Sequence, residues 1–97
     1  MTTKSRNAMP QSSVANANRA GADFLQIDSE VALTFCGIAL AAKDEEKKRR
    51  TTQTARKAYD TILRLMEGVD LTDAEKAKLD RTLLRLKSEL QRLGETL

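Results

Sequence analysis

The chain has 97 residues with no histidine, a single cysteine (Cys36), three aromatic side chains and a formal charge of +3. That composition suits one small domain with an aliphatic core. It excludes an intrachain disulfide framework, a cysteine-based zinc site and nucleophile chemistry built on histidine, and so small a charge does not by itself specify nucleic acid.

Residues 1–22 are polar, carry Lys4, Arg6 and Arg19 with no acid, include Pro10 and end near Gly21. They read as a flexible, disordered tail ahead of a helical domain over residues 23–97. No apolar run follows Lys4 and Arg6, so a secretory signal is not expected.

The first helix is predicted over about 24–42. Asp23 with Gln26 has the spacing of a capping box, and Asp28 or Ser29 is a rival start. Residues 31–42 contain no charged side chain. On a helical wheel Phe24, Ile27, Val31, Phe35, Ile38 and Ala42 form one stripe, and Leu25, Leu33, Cys36 and Leu40 a second, nearly opposite. The first stripe is assigned to the core. The second is left for a partner, unless the other two helices sandwich this one and use both faces, with Gly37 marking a close approach. Because the uncharged stretch falls short of the roughly 20 residues a bilayer span needs, no membrane association is expected. A lone thiol suits a reducing, cytoplasmic setting.

No glycine or proline ends the first helix. A break at Lys43-Asp44 is inferred because Asp44, Glu45 and Glu46 suit a helix N-terminus, with one continuous helix over 29–67 as the alternative. The second helix is predicted over about 45–67, apolar from Ala55 onward through Ala58, Tyr59, Ile62, Leu63, Leu65 and Met66. Glu45–Arg49, Glu46–Arg50 and Asp60–Arg64 have the spacing of ion pairs. Gly68 is expected as a left-handed helix terminator. Thr72-Asp73-Ala74-Glu75 has the form of a capping box and opens a third helix over about 73–93. Its leucines at 79, 83, 86, 90 and 93, then Leu97, alternate by four and three, the spacing of a heptad seam. Leu84 stands apart on the polar face. The fold class is therefore all-α: a three-helix bundle, or a helical hairpin with a capping helix, behind a disordered N-terminal tail.

Gly37-x-x-Leu40 and Ala55-x-x-x-Tyr59-x-x-Ile62 resemble the two helices of a tetratricopeptide hairpin. Gly37 and Ala55 are further apart than that repeat allows, and Ile62 stands where a small residue belongs. The resemblance covers less than a third of the chain and implies a helical interaction module.

Chemistry is sparse. Cys36 reads as a buried, inert thiol. The acidic groups Asp44-Glu45-Glu46 and Asp70, Asp73, Glu75 read as helix caps, since they lack calcium-loop spacing. The four glycines are scattered, so no phosphate-binding loop is expected. No enzyme activity, cofactor, metal or small-molecule substrate is expected. Two functions follow. The first is a protein–protein interaction or self-association module, forming a homodimer or taking a partner helix on Leu25, Leu33, Cys36, Leu40 and Leu84. The alternative is a small nucleic-acid-binding regulator that uses Lys47, Lys48, Arg49, Arg50, Arg56, Lys57 and the basic tail. Glu45 and Glu46 can neutralise part of that run, and no aromatic platform accompanies it.

Overall fold

The computed structural model describes residues 19–97 in full. Its helices are α1 (Thr2–Ala41), of which residues 19–41 are described, α2 (Glu45–Leu65) and α3 (Asp73–Arg92), with a 3₁₀ turn, Met66–Gly68, between the last two. Among the described residues there is no strand. The all-α, three-helix class read from the sequence is the observed one.

Residues 1–18 of the expected tail lie outside the described residues. Residues 19–22 are helical and belong to the domain: Ala22 is buried, and a methyl group at Gly21 would stand 3.1 Å from Val69 Cγ2. Packing against the α2–α3 connection therefore carries the helix past Asp23, so neither Asp23, Asp28 nor Ser29 caps it. Ser29 instead lies fully buried mid-helix, its hydroxyl donating to the Gln26 carbonyl at 2.8 Å. That bond satisfies a polar group that would otherwise be costly to bury.

The break after α1 falls where the acidic run begins. Asp44 caps α2 by accepting the Glu46 backbone N–H at 3.2 Å. At the other end Gly68 is not left-handed; α2 tightens into the 3₁₀ turn, and Val69 is already extended. The capping box of α3 is complete, Glu75 N–H donating to Thr72 Oγ1 at 3.1 Å and Thr72 N–H to Glu75 Oε1 at 2.9 Å. The helix ends at Gly94, the one described residue with positive φ (96°). Gly94 N–H donates to the Gln91 carbonyl and Glu95 N–H to the Leu90 carbonyl, both at 3.0 Å. Those two bonds make a Schellman motif, in which glycine avoids the steric penalty of the left-handed conformation.

The buried positions repeat by three and four on every helix. They are Ala22, Leu25, Ser29, Ala32, Cys36 and Ala39 on α1, Thr52, Ala55, Tyr59 and Ile62 on α2, and Leu79, Leu83, Leu86 and Leu90 on α3. This heptad spacing produces shallow-angle packing of neighbouring helices. α1 makes most of its contacts with α2, fewer with α3, and α2 and α3 meet only lightly. Both partners lie on one side of α1. Its inward face is small-residued apart from Leu25, and Ala55 answers it from α2. Small side chains let two helix backbones approach closely, and the bulk of the core comes from Tyr59, Ile62 and the α3 leucines.

Candidate interaction surface

The outward face of α1 carries a second heptad seam, displaced two residues from the buried one and so turned by about 200°. Its positions are Phe24, Ile27, Val31, Thr34, Ile38 and Ala41, all exposed. Phe24 is 50% exposed, Ile27 59%, Val31 44% and Ile38 38%. Four large apolar side chains in one line on one helix form a contiguous patch, unlike the scattered singles of an ordinary surface. Thr34 donates its hydroxyl to the Glu30 carbonyl at 3.2 Å, so its polar group is already partnered. Asp23 and Glu30 flank the seam on one side and Asp28 on the other. Gly37 also borders it, with nothing within 4 Å of where a Cβ would stand. It therefore marks no close approach inside the bundle.

This reverses the expected use of the two stripes in large part: of the stripe assigned to the core, Phe24, Ile27, Val31 and Ile38 are exposed, while Phe35 packs against the core and Ala42 is half-buried. Leu25 and Cys36 are buried in the core, Leu33 packs against it, and Leu40 is half-buried. These four are part of the fold and are not a free docking face. The side chains that α1 buries are small apart from Leu25, namely Ala22, Ser29, Ala32, Cys36 and Ala39, and four bulky ones stand outside. Two features of the sequence point to this arrangement, the run of Ala, Ser and Cys at heptad spacing and the three acids that flank the bulky stripe.

Leu84 is 69% exposed, on a different side of the molecule. With Leu63 it lines a shallow apolar groove between α2 and α3 that also includes Tyr59, Met66 and Leu83.

The basic residues are not gathered into one patch. Lys47, Arg49, Arg50 and Lys57 are exposed, while Lys48 and Arg56 are half-buried, and successive members turn about 100° around α2. Arg49 pairs with Glu46. Arg56 donates to Asp60 at 3.2 Å and to Glu95 at 3.0 Å. The ion pairs anticipated at Glu45–Arg49, Glu46–Arg50 and Asp60–Arg64 are replaced by these and by Lys76–Asp80 and Glu89–Arg92. An open cleft between the start of α2 and the end of α3 is lined by Glu45, Glu46, Lys48, Arg49, Thr52 and Glu95, a mixture of charges in which the Thr52 hydroxyl donates to the Lys48 carbonyl at 2.7 Å.

Cys36 is fully buried. Burial, and secondarily the charge of Glu89, push its thiol up to about 11, so it stays protonated and unreactive near neutrality. Among the described residues no three His, Cys, Asp or Glu side chains come together as a metal site.

By length and composition the segment Arg19–Ala41, 23 residues, is long and apolar enough to cross a membrane, which the shorter uncharged stretch alone did not indicate. No family model, curated protein or solved structure matches this chain.

Proposed function

We propose that this chain is a small non-enzymatic helical module that binds another protein through the outward seam of α1. The observation that carries this is the line Phe24, Ile27, Val31 and Ile38, left exposed although the same helix buries alanines and a serine. A fold that needed only its own stability would be better served by the reverse arrangement, since burying a large aliphatic side chain is worth about 1.5–3 kcal/mol. An apolar helix face with acidic flanks is the form in which helix-to-helix recognition is written.

Although α1 is long enough to span a bilayer, its acidic residues do not favour one. Asp28 and Glu30 sit in the middle of the apolar segment, and a central Asp costs about 2.5–3.5 kcal/mol in a spanning helix. The resemblance of Gly37-x-x-Leu40 and Ala55-x-x-x-Tyr59-x-x-Ile62 to a tetratricopeptide hairpin is in keeping with the interaction class, and a single buried cysteine suits a reducing, cytoplasmic setting.

The test is a photo-crosslinking residue placed at Ile27, with a control at the exposed Arg81, in the cells that make the protein. A protein adduct at position 27 that is missing at 81 is the expected result. Equal labelling, or none, overturns the proposal.

A further inference from the structure

Resting on that assignment of the α1 seam, we infer that its occupant is a second copy of this chain, packed antiparallel so that Ile27 of each copy faces Ile38 of the other. Shape and charge both point to it.

The seam is graded. Its N-terminal half is the bulkier, with Phe24, Ile27 and Val31, and its C-terminal half the smaller, with Thr34, Ile38 and Ala41 bordered by Gly37. In knobs-into-holes packing each knob enters a hole made by four residues of the facing helix. With Ile27 against Ile38 in antiparallel order, the hole is formed by Thr34, Gly37, Ile38 and Ala41, and the missing side chain of Gly37 gives it depth. Phe24 then falls on Ala41 and Ala42, and Val31 on Thr34. The large half of each copy meets the small half of the other, and a two-fold axis crosses the helix pair near residues 32 and 33. An exposed mid-helix glycine that no neighbour among the described residues requires thereby acquires a role.

Charge selects the same direction. Asp23 and Asp28 occupy the two flanking positions that meet across a parallel heptad pair, where pairing of like charge is unfavourable. A parallel dimer would oppose them twice. In the antiparallel register the acidic half of each copy, 23–30, lies along the uncharged half of the other, 31–42, so that no two acids are opposed. The acids also argue against an anionic lipid surface as the occupant.

The experiment uses the full chain. Light scattering after size exclusion is expected to give a dimer, and Ile27→Lys to halve the mass with unchanged helical circular dichroism. Mild oxidation is expected to crosslink an equimolar mixture of Ile27→Cys and Ile38→Cys but neither variant alone; the native Cys36 is buried and stays silent. Crosslinking of Ile27→Cys with itself would mean a parallel pair and overturn the register. A monomer at every concentration, or one that binds phosphatidylcholine vesicles through the seam, overturns the second copy as occupant. If the photo-adduct at position 27 then has a mass other than twice that of the chain, the interaction reading stands while this inference fails; if there is no adduct, both fail.

Discussion

Arg56 and Glu95 join the middle of α2 to the turn that ends α3, Nη1 donating to Oε1 at 3.0 Å, with a second bond from the same nitrogen to the Thr96 carbonyl at 3.1 Å. Asp60 holds the other side of the guanidinium through Nε. Both partners of the long-range pair are about one-third exposed, 32% and 29%. Since α2 and α3 touch only lightly elsewhere, this clasp fixes the C-terminal turn. Arg56→Ala is expected to speed amide exchange at Glu95 and Thr96 and to lower the melting temperature slightly, with the difference shrinking as salt is raised. Unchanged exchange there would mean that the Schellman motif alone holds the turn.

The small residues of the inward seam predict an asymmetry between two substitutions of opposite kind. Ala32→Leu should destabilise by about 1–3 kcal/mol, because the α1–α2 approach has no room for a larger side chain. Leu86→Ala, at a fully buried α3 position, should cost about 2–5 kcal/mol by leaving a cavity. Urea unfolding measures both. A neutral or stabilising Ala32→Leu would show that the two helices stand further apart than their small residues imply.

The two faces of α1 were the part of the fold least legible in the sequence. Where local chemistry decides, the residues were sufficient: Asp44, the Thr72–Glu75 box and Gly94 each satisfy backbone groups within a few positions. The α3 leucines were equally legible, because only one side of that helix is apolar apart from Leu84. On α1 both sides are apolar, and the stripe that carries Phe24 and Ile27 was the one expected inside. What decides the matter is which stripe is turned toward α2 and α3, a tertiary choice that the residues of α1 alone do not specify. The helical continuation through residues 19–22 and the turn at Gly68 escaped for a related reason. Gly21 and Val69 meet across 48 positions of sequence, and no local pattern announces the contact.

Cys36 links stability to alkaline pH. Its thiol has an ordinary value of 9.0 and is raised to about 11 in the fold, chiefly by burial. Between those values the native chain keeps a proton that the unfolded chain has lost, so the thiol's contribution to stability is present below pH 9 and declines as pH rises toward 11. The stability difference between the natural chain and Cys36→Ala should therefore narrow across that interval when unfolding midpoints are compared. At neutral pH a thiol reagent should label Cys36 only as fast as the bundle opens. Rapid labelling of the native protein would contradict its burial.

Gly37 separates the isolated chain from the associated one. A glycine inside a helix is less favourable than alanine by about 0.5–1 kcal/mol, and nothing in the bundle lies within 4 Å of its absent side chain. Gly37→Ala should therefore stabilise the dilute monomer and raise its melting temperature by several degrees, since about 1 kcal/mol shifts a domain of this size by about 4–8 °C. The same methyl group would occupy the hole assigned to Ile27 of a second copy. Overpacking there costs about 1–3 kcal/mol, which weakens self-association by roughly 5- to 150-fold. The two effects have opposite signs and are read separately, the first by melting at low concentration and the second by light scattering over a dilution series. A variant that melts higher and also dimerises more tightly would place the second copy away from Gly37. One that melts lower would mean that the glycine serves the monomer after all.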